Sequence, residues 1–217
     1  MTTPRVIHQM WSTSDLPEPF ATYHSTVKQL NPDCQVILWT DADMFEFMER
    51  EYPDHYDTFR SYPLNIYRFD MFRYFLLYRI GGMYLDLDME PHQPFNQLFA
   101  DQLVLCEEHP AEWCRFKVPR LLSNAMMIAP PDHPFIKRLI DEVVIDPAHT
   151  AYGVIKSTGP LHVTSKWADA STSLECKVLS HQAFFPVSYN SKSQAVGTYA
   201  THRFAHTWWK ELLTVVR

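Results

Sequence analysis

Glycine is scarce in this chain. There are five in 217 residues, and two of those five stand side by side at Gly81 and Gly82. No run approaches the roughly 20 apolar residues that a membrane span requires. The opening "MTTPRVIHQMW" lacks the basic start and long apolar core of a signal peptide. An excess of positive charge is also missing: 19 Lys and Arg stand against 25 Asp and Glu, a formal net charge of −6. That balance excludes broad binding of a nucleic-acid polymer, which needs a basic stripe. It leaves room for a single nucleotide held by a metal, because the metal supplies positive charge locally. The four cysteines (Cys34, Cys106, Cys114, Cys176) contain no C-x-x-C pair and are expected to be reduced thiols. The spacing of Cys106, His109 and Cys114 matches no standard zinc site.

What is present fits one α/β domain over residues 1–217, standing alone or as one domain of a longer protein. Hydrophobic residues make up 46% and aromatics 14%, enough for a sizeable core. "RVIHQMW" (Arg5–Trp11) reads as a first buried strand, and "FATYHSTVKQLNP" as a helix stopped before Pro32. "CQVILWT" (Cys34–Thr40) is a second strand. Thr40 and Asp43 are spaced as a capping box that opens a helix. "NIYRFDMFRYFLLYRI" (Asn65–Ile80) is apolar on most faces, which predicts a largely buried helix. Gly81 is placed to end it in a left-handed conformation. "MYLDLD", "LVLCEE" and "NAMMIAP" follow as strands, and Asp132 is expected to cap a helix through "HPFIKRLIDEVV". Strand and helix alternate, so α/β layering is expected.

The chemistry concentrates around Gly81–Pro91, "GGMYLDLDMEP". In an extended strand Asp86 and Asp88 point to the same side, with Leu87 directed away. Two carboxylates so placed repel each other unless a hard divalent cation neutralises them, and oxygen ligands suit Mg²⁺ or Mn²⁺. One D-x-D alone is weak evidence and reads as a solvated strand end. On the preceding helix Asp70 and Arg73 are surface neighbours. Charges beside an apolar face are costly unless paired or used, so these two are either a structural ion pair or part of a site.

The run D-x-x-R, apolar helix end, G-G-x-Y-L-D-x-D resembles glycosyltransferases of the Och1-like family, which carry the DXD sugar-binding motif. The same signature is found in the catalytic domains of clostridial glucosylating toxins. "PRVIHQMW", "NPDCQVILWTD", "NAMMIAP" and "HRFAHTWW" are similar to further family blocks in the same order, so the resemblance extends from Arg5 to Trp208. It implies a GT-A fold: a central twisted, mostly parallel sheet flanked by helices. It implies a nucleoside-diphosphate sugar donor, with UDP-sugar favoured although fungal mannosyl relatives use GDP, and a glycan or other hydroxyl acceptor. Carried over by resemblance, Trp11 stacks on the base, Tyr84 lies near the ribose, and Asp70 and Arg73 hold donor-sugar hydroxyls. Asn124 contacts the transferred sugar, and Trp208 follows the closing histidine. Asp86 binds the ribose or sugar and approaches the metal through water, Asp88 ligates it directly, and His202 is a further ligand with His206 a close second. Where the family has glycine and serine before its last tryptophan, this chain has His206 and Thr207. Arg68 is also unexpected beside the family's small residues.

Family members retain anomeric configuration, which implies front-face transfer with the leaving phosphate taking the acceptor's proton. Two rivals bear on this reading. Phosphatases with an aspartyl nucleophile need threonine or valine shortly after the second acid, whereas Met89, Glu90 and Pro91 follow here. A non-catalytic module of the same fold would bind a nucleotide sugar without turning it over. Pro110–Ser123 and Ala168–Gly197 match the family least and are assigned to the acceptor side. His8, His92 and His162 are expected to be structural. Fungal relatives begin with a membrane anchor that is not seen here, so the expectation is a soluble cytoplasmic enzyme of bacterial or viral origin, or one domain of a longer glycan-building protein.

Overall fold

The computed structural model describes residues 2–170, 176–189, 191–205 and 207. His206 and Trp208 lie outside the described residues. Strand β1 (Val6–Met10) leads through helix α1 (Phe20–Leu30) to β2 (Gln35–Trp39). Helices α2 (Asp41–Glu51), α3 (Pro53–Ser61) and α4 (Asn65–Arg79) precede β3 (Gly82–Leu85) and the short β4 (Met89–Pro91). Next come β5 (Leu103–Glu107), α5 (Pro110–Phe116), β6 (Leu122–Ala129) and α6 (Pro134–Asp141). Helices α7 (Ala151–Ser157) and α8 (Pro160–Ala170) are followed by β7 (Cys176–Leu179) and β8 (Ala200–His202).

Six strands form one sheet in the order β2-β1-β3-β6-β5-β7. The pairs β1–β2, β1–β3 and β5–β7 are parallel, and only β6 runs against its two neighbours. Apolar side chains cover both faces, as a sheet flanked by helices requires. The period of two along each strand divides them. Tyr84, Leu103, Leu105, Met127 and Ala129 join the cluster built on α2, α3, α4 and α6. Met83, Leu85, Val104, Cys106, Met126 and Ile128 join the opposite cluster with Val27, Phe184 and Phe185.

Helix α4 is the central helix of the fold. Ten of its residues from Ile66 to Leu77 are buried, including Asp70 and Arg73. It ends as expected: the Gly81 N–H donates to Leu77 O at 3.1 Å and Gly81 has φ 75°. Gly82 is also left-handed, at φ 97°, and a Cβ there would lie 2.5 Å from the Val6 carbonyl of β1. This glycine therefore lets β3 approach β1. The capping box is present, with the Thr40 hydroxyl accepting from Asp43 N and the Asp43 carboxylate accepting from Thr40 N.

Two local expectations are corrected. Asp132 does not cap α6; it sits at φ 56° with its N–H donated to Tyr78 O at the end of α4, 2.7 Å away. His133 takes the cap, its ring Nδ1 accepting from Phe135 N at 3.2 Å. The strand "MYLDLD" stops at Leu85. Asp86 N makes a bond to Ala125 O at 2.9 Å, and a turn closed from Met89 N to Asp86 O at 3.2 Å carries Leu87 and Asp88. Asp86 and Asp88 therefore face one another's surroundings through a turn, not through strand alternation.

Candidate active site

Trp11 follows the carboxyl end of β1, Asp86 follows that of β3, and Asn124 lies near the start of the antiparallel β6. The three meet at one edge of the sheet, the place where open α/β sheets receive ligands. A cavity of about 550 Å³ opens there, lined among others by Trp11, Asp41, Asp70, Arg73, Tyr84, Asp86, Asp88, Asn124 and His202. Every site residue named from the sequence that falls within the described residues lines it. The sequence separations are long, and the sheet order closes them.

The inner wall is a network centred on a buried ion pair. Arg73 Nη2 lies 3.0 Å from Asp70 Oδ1, with both side chains about 5% exposed. Asp70 Oδ1 also accepts from Asn124 Nδ2 at 2.9 Å, and Oδ2 accepts from the Thr158 hydroxyl at 2.7 Å. Arg73 Nη1 donates to Asn124 O at 2.7 Å and to Asp86 Oδ1 at 3.3 Å, and Nε to Phe69 O at 3.4 Å. Its guanidinium lies over the Tyr84 ring, 4.4 Å from the centroid, while the Tyr84 hydroxyl donates to Asp86 Oδ1 at 2.5 Å. Burial pushes the carboxyls of Asp70 and Asp86 above their ordinary range, with Arg73 pulling both back down. The guanidinium is spent on the protein's own acceptors. What it offers a ligand is its positive field and a fixed orientation of two carboxylates.

The outer wall is assembled by the small β4–β8 sheet. Its register sets Met89 opposite His202. His202 Nε2 then lies 3.1 Å from Asp88 Oδ1, and Ala205 N donates to Asp88 Oδ2 at 2.9 Å. One ligand atom from each of Asp86, Asp88 and His202 lies within 4.8 Å of the others. Among the described residues no other His, Cys, Asp and Glu group meets this condition, the Cys106, His109 and Cys114 set included. Burial opposes charge on His202, but Asp88, Asp86 and Glu108 outweigh it, so its pKa is raised. Among the described residues its buried Nδ1 has no hydrogen-bond partner. Two carboxylates and one imidazole with an orphaned nitrogen suit a divalent cation. His206, the alternative ligand, lies outside the described residues. Phe204, at φ 48°, holds a left-handed conformation unusual for a bulky residue, with its ring 4.1 Å from that of His202.

Several participants carried no sequence signal. Thr158 reaches Asp70 across 88 positions, because α7 ends against α4. Glu108 lines the cavity, and burial pushes its carboxyl up to about 7, with His202 and Ser123 opposing and Glu112 and Asp86 reinforcing the shift. Asp41 lines the Trp11 end. Arg68 does not enter the cavity wall: it is tied to Asn65 Oδ1 and to Tyr62 O. His8 and His162 are structural, as expected: His8 Nε2 lies 2.9 Å from Gly81 O and His162 Nε2 2.9 Å from Leu139 O.

With this geometry in place, the comparisons with known proteins fall into line. Residues 17–105 match the model of the family described as glycosyltransferase sugar-binding region containing DXD motif. It is similar to inositol phosphoceramide mannosyltransferase 3 of Schizosaccharomyces pombe, 32% identical over 222 residues, 93% of this chain and 60% of that protein. Mannosyl phosphorylinositol ceramide synthase SUR1 of Saccharomyces cerevisiae is 36% identical over 170 residues, 76% of this chain and 41% of the relative. The chain thus spans 60% or less of the length of these two relatives. Among solved structures, the catalytic domain of alpha-toxin from Clostridium novyi matches with a TM-score of 0.53 at 10% identity, over 100% of this chain and 83% of that one. The PaToxG glycosyltransferase matches at 0.55 and 18% identity, over 77% and 70%. These likenesses establish the GT-A fold. The expectation of a bacterial or viral cytoplasmic enzyme is overturned: the relatives are yeast proteins named for inositol phosphoceramide, a lipid. No helix among the described residues is long and apolar enough to cross a membrane.

Proposed function

We propose that this chain is the catalytic region of a metal-dependent, retaining glycosyltransferase. It moves a hexose from a nucleoside-diphosphate sugar to a hydroxyl of a lipid-linked acceptor, and the names of the yeast relatives favour mannose and a phosphoinositol ceramide. The observation that carries the reading is the convergence of Asp86, Asp88 and His202 within 4.8 Å at the wall of a cavity that also holds Trp11, Asp70 and Asn124. Asp86, Asp88 and His202 would hold Mn²⁺ or Mg²⁺, whose charge stabilises the departing diphosphate.

The chain's own groups do the rest. Trp11, at the cavity end where its ring packs edge-on against Phe20 at 5.1 Å, takes the base. Asp70 and Asn124, already oriented by each other and by Arg73, present oxygen and amide to sugar hydroxyls. Tyr84 lies beneath the site and acts through Asp86 and Arg73 rather than at the ribose. Arg73 adds a fixed positive field where negative charge develops. In the transfer the acceptor oxygen bonds to the anomeric carbon as its bond to the diphosphate breaks. The acceptor's proton passes to the leaving phosphate oxygen on the same face.

The test is a thermal-shift titration with Mn²⁺ and UDP-, GDP- and dTDP-sugars, followed by assay of donor hydrolysis. A ligand at 100 times its dissociation constant stabilises by about 2.7 kcal/mol, so a shift of several degrees is expected. Asp88→Ala should abolish both the metal-dependent shift and hydrolysis. Metal-dependent binding with no turnover of any donor would instead identify a nucleotide-sugar-binding module. Absence of any metal-dependent shift removes the proposal altogether. The same titration separates uridine, favoured by the sequence resemblance, from guanosine.

A further inference from the structure

Beyond the main cavity a second hollow of about 340 Å³ lies between α5 and α7. Arg115, Phe116 and Ile155 line both spaces, so the two adjoin across a shared wall. Lys117, Ala151 and Tyr152 complete the second wall. We propose that this groove seats an anionic lipid: the phosphate between Arg115 and Lys117, the first apolar segment along Phe116, Tyr152 and Ile155. The proposal rests on the reading of the main cavity as a transferase site, and it supplies the acceptor's docking surface beside that site.

The groove's chemistry argues for this occupant. The chain carries a net charge of −6, yet the two charged groups lining the hollow are both cations. Arg115 is held in place, its Nη1 3.4 Å from Glu112 Oε2 and its guanidinium over the rings of Phe116 and Tyr189, 5.3 and 5.0 Å from their centroids. Glu112 is itself buried and tied by its other oxygen to Tyr189 N at 3.0 Å, so the acid is committed to positioning. One bond to Glu112 leaves most of the guanidinium's fork for a phosphate. Lys117 caps α5 in a left-handed conformation, φ 56°, which few non-glycine residues adopt. Among the described residues its ammonium has no ion-pair partner.

The remaining lining is apolar and open to solvent on one side. Tyr152 is 54% exposed, and its ring lies 6.3 Å from that of Phe116. A neutral glycan would leave two cations without counter-charge and three large apolar groups without cover. Apolar burial combined with basic groups is the pairing of signals that holds a protein at an anionic membrane surface. An amphiphile lying here would extend its sugar hydroxyl through the shared wall toward Asp70 and Asn124.

Co-sedimentation tests the groove directly, using the intact chain with vesicles of phosphatidylcholine alone or of phosphatidylcholine with phosphatidylinositol. Binding is expected only with the second. Lys117→Asn removes the charge with a residue that tolerates the left-handed backbone, and should weaken binding about five-fold, the effect of one basic group at an anionic surface. Tyr152→Ser should weaken it as well. Both variants should keep the parent's melting temperature and its acceptor-free donor hydrolysis. Equal binding to both vesicles, or parental binding by both variants, overturns the groove. Full displacement from vesicles by soluble inositol phosphate identifies a phosphate site without lipid docking and overturns it too. Vesicle binding by a chain that hydrolyses no donor upholds the groove and removes the transferase reading.

Discussion

Asp70→Ala separates the structural weight of the inner wall from its chemistry. Asp70 is about 5% exposed, pairs with Arg73 at 3.0 Å, and accepts three polar contacts in all. Deleting the carboxylate leaves a buried guanidinium whose remaining acid, Asp86, lies farther away at 3.3 Å. Removing one partner of a buried pair typically costs about 3–5 kcal/mol. A chain of this size loses about 2–4 °C per kcal/mol, so the melting temperature should fall by roughly 6–20 °C. Asp70→Asn should cost less, about 1–2 kcal/mol. The amide oxygen can still accept from Arg73 and Asn124, and its NH₂ can donate to Thr158, so only the charge assistance is lost. The control is Asp141→Ala, which breaks the Lys137–Asp141 pair of α6, where both side chains are about half exposed. An exposed helical pair of that kind contributes about 0.3–0.5 kcal/mol. Scanning fluorimetry across the three variants would settle the matter. If Asp70→Ala melts no lower than Asp141→Ala, the inner wall is not held by the ion pair and the reasoning fails.

Two further outcomes follow from the fold. Burial lowers the pKa of His8 from 6.5 to about 4, against the smaller opposing pull of the Nε2–H bond to Gly81 O, while Nδ1 accepts from Trp39 Nε1 at 3.1 Å. With the folded pKa below the unfolded one, its contribution is intact above pH 6.5 and is lost as pH falls toward 4, about 3 kcal/mol in all. Denaturant melts of parent and His8→Gln at several pH values should differ in slope across that window, and parallel slopes would disprove the assignment. Gly82→Ala should destabilise by more than about 1 kcal/mol, because φ is 97° and the new Cβ would meet Val6 O at 2.5 Å. A parental melting temperature in that variant would show that β1 and β3 can separate freely.

Local chemistry was legible in the chain. The capping box at Thr40 and Asp43, the left-handed stop at Gly81 and the burial of Asn65–Arg79 each follow from residues within a few positions of one another. So does the meeting of Asp70 and Arg73, which one helical turn guarantees. Local signals failed where a distant partner outbid them. Asp132 has the side chain of a cap, but its N–H is claimed by Tyr78 O, and the cap moves to His133. Asp86 and Asp88 read as strand, but β6 supplies its last bond at Asp86 and the chain turns.

The motif alone therefore singled out residues that line one cavity: two acids after a glycine pair, with a buried acid and base one helix earlier. Only tertiary structure decided how they are used. His202 reaches Asp88 because β8 pairs with β4, Thr158 reaches Asp70 because α7 ends against α4, and Arg73 is consumed by acceptors from three elements. Such contacts depend on the register of strands and the packing of helices far apart in the chain. No window of neighbouring residues encodes them, because each is fixed by surfaces that exist only once the sheet has formed.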